Sequence, residues 1–141
     1  AWGLAALRLG MALASADIVD VMNKVKPPYN INQATQDLVL QALEEIGQVN
    51  DMIAILVDMR NALAEVFEQM PIVEKVYPSD ANFLLVKIKD ARKIYDYLLT
   101  KGIVVRDRSS VKLCEDCLRI TIGTEKENTD LVDAIAEYLN S

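Results

Sequence analysis

Two arginines stand at positions where their side chains could bind one anion together. Arg119 lies in the alternating segment Leu-Arg-Ile-Thr-Ile at residues 118–122, which places it on the strand face opposite to the apolar residues. Arg106 directly follows a second apolar segment, residues 103–105. Guanidinium groups on neighbouring strands form a rigid set of donors that suits a carboxylate or a phosphate. The alternative is that both are solvated surface arginines, with acidic neighbours such as Asp107 forming ordinary surface ion pairs.

Arg8 is a third candidate for binding an anion. It lies just before a continuous apolar segment at residues 9–14, with Gly3 and Gly10 nearby. A charged residue at that position either lies at the edge of a sheet or binds an anion, and hydrophobic periodicity does not decide between the two.

Cys114 and Cys117 have the Cys-x-x-Cys spacing of half a zinc site or of a redox pair. The sequence lacks a second pair of ligands, and the flanking Glu115 and Asp116 disfavour a thiolate. A polar turn that holds two thiols is therefore the preferred interpretation. The sequence contains no histidine, which excludes a Ser–His–Asp or Cys–His nucleophile and a His-ligated zinc site from this chain alone.

The elements that would position these residues are indicated by hydrophobic spacing. Residues 9–14 are continuously apolar, which predicts a strand buried inside a sheet, and Ser15 then begins a helix that ends before a Pro-Pro pair. Residues 33–70 predict two helices or one bent helix, divided in the region of Gly47 and Asn50.

From residue 71 onward, strand and helix signals alternate and predict a small α+β domain. The predicted strands are residues 83–88, 103–105 and 118–122. One helix is predicted to begin at Asp90 as its N-cap, and a second to begin at a capping box formed by Thr124 and Glu127.

Composition limits the class of protein. The 141 residues are 52% hydrophobic and 26% charged with a net charge of −6, which predicts a folded chain and argues against non-specific binding to nucleic acid or to acidic membranes. A lone apolar strand at residues 9–14 cannot satisfy its own hydrogen bonds. We therefore expect its sheet partners to lie outside this sequence, in a longer protein of which this chain is a fragment.

Five short motifs follow one another in an order that resembles a known enzyme family. The first, AWGLAALRLG at residues 1–10, is similar to the stretch that directly follows the Schiff-base lysine in pyridoxal-phosphate aminotransferases of fold type I, with Ala6 where that family usually has glycine. The set as a whole resembles the histidinol-phosphate aminotransferases, and the resemblance covers the entire chain. The other four motifs are VKPPYN at residues 25–30, ANFL at 81–84, GIVVRD at 102–107 and LRITIGT at 118–124.

This resemblance implies a role for each arginine. Arg8 matches the arginine that binds the phosphate of pyridoxal phosphate. Arg119 matches the arginine that binds the acidic group of the substrate, and Arg106 matches a second arginine for the substrate's phosphate. Tyr29 and Asn30 match a loop that approaches the site of a neighbouring subunit.

The resemblance also implies a fold, an activity and partners. The fold is α/β: residues 1–32 would end the large cofactor-binding domain, residues 33–70 would form an interdomain helical segment, and residues 71–141 would form the small C-terminal α+β domain. The parent would be a cytoplasmic homodimer that exchanges an amino group between L-histidinol phosphate and 2-oxoglutarate in histidine biosynthesis. Because the lysine would directly precede Ala1, the fragment alone is expected to be inactive.

Three alternatives remain at this stage. A threonine-phosphate decarboxylase of the same fold also needs arginines for a phosphate, and an aromatic aminotransferase shares the fold. A non-catalytic α+β module that binds an anion or a protein would be complete as it stands. The fragment hypothesis instead predicts exposed apolar surface at residues 9–13 and along residues 33–70, with a tendency to self-associate.

Overall fold

The structure is a computed structural model that describes residues 2–140. It divides into two compact units, Ala1–Ile53 and Ala54–Ser141. No helix within the described residues combines the length and apolar character that a membrane span requires. The predicted division at residues 32 and 70 refers to the domains of a longer parent, and it stays a prediction.

The first unit is helical. A short 3-10 helix at Ala5–Leu7 precedes α1 (Ala16–Val25) and α2 (Gln33–Glu44). The side chain of Asn32 caps α2 by accepting a hydrogen bond from the backbone N–H of Thr35 at 2.8 Å, because the first N–H groups of a helix have no partner within it.

The predicted strand at residues 9–14 does not form in this structure. These residues belong to no element, and Met11 and Leu13 are 90% and 101% exposed. A strand requires a partner to accept its ladder hydrogen bonds, and no strand within residues 2–140 pairs with this segment. The expected exposure of apolar side chains at residues 9–13 is confirmed.

Residues 33–70 form two helices, as one of the two predicted alternatives. The second of them, α3, extends over Ile46–Glu68, so the break lies at Glu45, ahead of the predicted position. Gly47 lies inside α3, where glycine is tolerated at a modest cost in stability. Exposed side chains along this segment, such as Leu38 at 50% and Leu40 at 63%, confirm the expected apolar surface.

The second unit contains a four-stranded antiparallel sheet with the order β1-β2-β4-β3. Helices α4 and α5 and the end of α3 contribute core residues against it. Phe67 of α3, Ile94 of α4 and Ile135 of α5 are fully buried in this core. The elements are β1 (Val73–Tyr77), β2 (Phe83–Ile88), α4 (Ala91–Thr100), β3 (Arg106–Asp107), β4 (Cys117–Thr121) and α5 (Glu125–Leu139).

Strand β3 lies later in the chain than predicted. Residues 103–105 are not a strand, because the backbone there completes the end of α4: the N–H of Ile103 donates to Leu98 and that of Gly102 donates to Leu99. This pair of bonds is a Schellman motif, with Gly102 at φ +75°. Pairing with β4 therefore begins only at Arg106.

Two further details differ from the sequence-based expectation. Strand β1 was not predicted, because its pattern of half-buried and exposed residues is that of an edge strand, with a register shift between Val73 and Lys75. Asp90 does precede α4, but its side chain does not cap the helix and instead pairs with Lys93 at 2.7 Å. The predicted capping box of α5 is confirmed.

Candidate functional site

Arg106 and Arg119 lie directly opposite each other in the antiparallel pair of β3 and β4. Directly opposed residues of an antiparallel pair project from the same face of the sheet, with Cβ atoms about 5 Å apart. Leu118, Ile120 and Ile122 face the core and are at most 5% exposed. The two arginines therefore share the sheet face that the core does not occupy, and for Arg119 this is the face that the alternation predicted.

The guanidinium of Arg119 rests on an aromatic ring. Its Cζ atom lies 5.1 Å from the ring centroid of Phe83, which is two residues along β2 from Leu85, the residue opposite Arg119. The Nε atom of Arg119 is buried and has no hydrogen-bond partner within the described chain. A buried donor without a partner is costly in free energy, and a bound anion would satisfy it.

The acidic residue nearest in sequence does not neutralise this pair. Asp107 binds the backbone N–H of Ser109 at 2.9 Å and pairs with Arg92 at 3.6 Å. The Ser109 hydroxyl and backbone N–H, together with the charge of Arg92, hold the pKa of Asp107 below its usual range. Neither Arg106 nor Arg119 forms an ion pair with a carboxylate in residues 2–140.

Two opposed cations without a counter-ion are a destabilising arrangement in a sheet. A phosphate or carboxylate between them would convert that repulsion into charge-assisted hydrogen bonds. The chemistry that the geometry supports is therefore the binding of an anionic group above β3 and β4, and not acid–base chemistry by the pair itself.

Arg8 lies in the first unit and ends the short 3-10 helix with a left-handed backbone, φ 56°. Its side chain is exposed, and the described residues include no ion-pair or hydrogen-bond partner for its guanidinium. An exposed guanidinium whose N–H groups are free to donate is suited to a phosphate, which accepts several charge-assisted hydrogen bonds.

Cys114 and Cys117 lie at the two ends of a turn, in which the Cys117 N–H donates to the Cys114 carbonyl at 3.0 Å. Both thiols are free, and burial together with the nearby Cys114 raises the pKa of Cys117. No group of three or more metal-ligating side chains occurs in the part of the chain that the structure describes. The raised pKa disfavours a thiolate at Cys117, and the preferred interpretation of this segment as a polar turn stays a prediction.

A groove of about 770 Å³ lies between residues 101–105, residues 120–123 and α5, and its charges do not suit an anion. Its walls include Glu127, Asp130, Asp133 and Glu137, while its one lysine, Lys101, is paired with Glu137 at 2.8 Å. Carboxylates at this density repel a phosphate. The Arg106–Arg119 pair on the sheet is therefore the better candidate for an anion site than this groove.

Comparison with known proteins decides the family. The family model described as aminotransferase class I and II matches residues 1–135. The chain belongs to the class I and II aminotransferases. A histidinol-phosphate aminotransferase from Cytophaga hutchinsonii is 49% identical over 138 residues, which cover 98% of this chain and 40% of that protein.

Two solved aminotransferase structures share the fold. One from Burkholderia pseudomallei has a TM-score of 0.88 at 28% sequence identity. The match covers 97% of this chain and 42% of the Burkholderia chain. The histidinol-phosphate aminotransferase from Sinorhizobium meliloti, in complex with pyridoxal-5'-phosphate, has a TM-score of 0.82 at 22% sequence identity. This match covers 98% of this chain and 38% of the Sinorhizobium chain. The predicted α/β fold class is confirmed. This aminotransferase chain spans about 40% of the length of the curated relatives that it matches.

Sequence reasoning missed the contact between Phe83 and Arg119. The ANFL motif indicated the start of β2. The register of β2 against β4, and with it the diagonal contact, cannot be predicted from the sequence of β2 or of β4 alone. The available signal was an aromatic residue on the solvent-facing side of a strand, a position where polar residues are usual.

Proposed function

We propose that this chain is part of a histidinol-phosphate aminotransferase, an enzyme that exchanges an amino group between L-histidinol phosphate and 2-oxoglutarate in histidine biosynthesis. The single observation that carries the proposal is the opposed pair Arg106 and Arg119, in which neither arginine has a carboxylate partner and the Nε of Arg119 has no hydrogen-bond partner among the described residues. The 49% sequence identity to the histidinol-phosphate aminotransferase of Cytophaga hutchinsonii supports the choice of substrate.

The arginine pair would bind and orient both substrates in turn. Histidinol phosphate has a phosphate and no carboxylate, whereas 2-oxoglutarate has carboxylates, and guanidinium groups bind both kinds of anion. Binding the acidic end of either molecule at Arg106 and Arg119 fixes the distance from that end to the reacting carbon. One anion site therefore serves both halves of an exchange in which the substrates alternate.

The cofactor proposed for the parent is pyridoxal phosphate, and the exposed guanidinium of Arg8, which has no partner within residues 2–140, fits its phosphate. When bound, this cofactor supplies the electron sink for removing a proton from the carbon that bears the amino group. Arg8 would hold the cofactor at its phosphate. The covalent link would come from the Schiff-base lysine, which the resemblance assigns to the position before residue 1.

The remaining assignments are part of the same proposal. The parent acts in the cytoplasm as a homodimer, and Tyr29, which is 99% exposed with φ 56°, belongs to the loop that approaches the partner subunit's site. The exposed apolar side chains of α1 and α2 support burial against further protein surface.

The decisive experiment replaces Arg119 in the full-length protein. Arg119→Ala removes charge-assisted hydrogen bonds worth about 3 kcal/mol, so we expect the KM for histidinol phosphate to rise about 100-fold. The absorption spectrum of the bound cofactor should not change, because Arg119 is assigned to the substrate. Steady-state kinetics and the spectrum test both statements.

The control is Lys126→Ala, which removes an equal charge from an exposed ion pair with Asp130 on α5. We expect kinetics indistinguishable from those of the unmodified enzyme. Wild-type kinetics for Arg119→Ala would remove Arg119 from the site. Activity on threonine phosphate with release of carbon dioxide, and none on histidinol phosphate, would favour the decarboxylase instead.

A further inference from the structure

We propose that Phe83 is a positioning residue for the anion-binding guanidinium of Arg119, an inference that rests on the proposed function. The side chain of Phe83 is half-buried on the same sheet face as Arg119, and the guanidinium carbon lies 5.1 Å from its ring centroid. At this separation a cation is attracted to the face of an aromatic ring.

The strand register fixes this contact. Phe83 pairs with Thr121 and Leu85 pairs with Arg119, so Phe83 and Arg119 are diagonal neighbours across β2 and β4. Diagonal neighbours are within reach of one another when one side chain is aromatic and the other is long. The ring is therefore presented to Arg119 by the backbone of the sheet.

The backbone of Phe83 is itself held in place. The hydroxyl of Ser79 donates to the carbonyl of Phe83 at 2.7 Å and also accepts from the N–H of Ala81 at 3.1 Å. One residue earlier, the carbonyl of Asn82 accepts from the N–H of Ile122 at 2.9 Å. These bonds attach the start of β2 to the preceding turn and to the end of β4.

Arg119 needs such a support because its other neighbour repels it. Arg106, directly opposite on β3, carries the same charge, and the described chain offers Arg119 no carboxylate. A carboxylate would orient the guanidinium but would occupy its N–H groups and neutralise its charge. An aromatic face orients the plane of the group while leaving the N–H groups at its edge free for a ligand.

The test compares Phe83→Leu with Phe83→Tyr in the full-length enzyme. For Phe83→Leu we expect the KM for histidinol phosphate and the inhibition constant of inorganic phosphate to rise about 10-fold, with kcat changed less than about twofold. Phe83→Tyr keeps the ring and should restore both constants. With histidinol, which lacks the phosphate, the KM should be the same for all three proteins.

The matched control is Tyr77→Leu, which removes another aromatic side chain that contacts a cation, Lys75 at 4.7 Å, elsewhere in the sheet. Its phosphate inhibition should equal that of the unmodified enzyme. The inference is overturned if Phe83→Leu leaves phosphate inhibition unchanged, or if it impairs histidinol and histidinol phosphate equally and Phe83→Tyr does not restore activity. Either result, found together with a large effect of Arg119→Ala, leaves the proposed function intact; a silent Arg119→Ala would refute the proposed function itself.

Discussion

Arg106 and Asp107 are adjacent in the chain, yet only the charge of Asp107 is compensated by other residues of the described chain. Asp107 is bound by Ser109 and pairs with Arg92, so its charge is compensated within the protein. Arg106 faces another arginine and has no such partner among the described residues. The contrast separates a residue that stabilises the fold from one that is available to a ligand.

The stability that Asp107 contributes should depend on pH. Ser109 and Arg92 lower its pKa in the folded protein relative to the unfolded chain. A lowered pKa contributes stability that is fully present above the unfolded value, near pH 4, and that is lost as the pH falls further, through the lower pKa of the folded protein. Asp107→Asn should therefore cost about 1 kcal/mol at pH 7 and progressively less as the pH falls below about 4.

This pH dependence is checked by the thermal unfolding midpoints of the unmodified full-length protein and of Asp107→Asn. The midpoints are measured from pH 7 down to the lowest pH at which the protein is still folded. The difference between them should shrink as the pH falls. A difference that stays constant across this range would show that the carboxylate charge is not what stabilises the β3 region.

At the element scale, the start of α5 depends on close packing around its cap. Glu127 accepts hydrogen bonds from the backbone N–H of Thr124 at 2.7 Å and from its hydroxyl at 2.9 Å. These bonds, the backbone one first, lower the pKa of Glu127. A Cβ atom on Gly123 would lie 2.8 Å from the Oε2 atom and 2.9 Å from the Cβ of Glu127. Glycine is therefore required here by space.

We expect Gly123→Ala to displace Glu127 and to destabilise the start of α5 by about 1 kcal/mol, similar to Thr124→Ala. Because both changes disrupt the same cap, the double variant should cost less than the sum of the two. Amide hydrogen exchange in the first turn of α5 measures each effect in the full-length protein.

The control is a glycine with open space around it. Gly47 lies within α3, and no atom would approach an added Cβ within 4 Å. Gly47→Ala should raise helix stability by up to about 1 kcal/mol. Full additivity of Gly123→Ala and Thr124→Ala would contradict a shared cap.

At the scale of the whole molecule, the first unit exposes much of its apolar surface. Its exposed large side chains include Met11, Leu13, Ile18, Val21, Met22, Val25, Leu38, Leu40 and Leu43. Soluble monomers rarely expose so many apolar groups together. The chain also spans only about 40% of the length of its curated relatives, so further protein surface is available to cover them.

The 141-residue chain, produced alone, should therefore bind a hydrophobic dye and self-associate at micromolar concentration. Replacing Leu38 and Leu40 by serine should reduce both effects, because these residues are half-exposed or more. Light scattering and dye fluorescence measure them. A monodisperse monomer that does not bind the dye would contradict this expectation.

Local sequence determined those features that depend on neighbouring residues. The alternation in residues 118–122 set which face of β4 is buried, and Thr124 with Glu127 set the start of α5. The order of short motifs indicated the family and its fold. The first two signals are each contained within a few residues, and the third is an order of short motifs along one chain, so the sequence alone was sufficient for all three.

Only the tertiary structure decided how distant segments meet. The apolar segment at residues 9–14 has no strand partner among the described residues and forms no strand. The end of α4 uses the backbone at residues 102–103, so β3 begins only at Arg106. The register that opposes Arg106 to Arg119 and brings Phe83 beneath Arg119 joins three strands. Strand register is set by packing between segments, and no single segment contains that information.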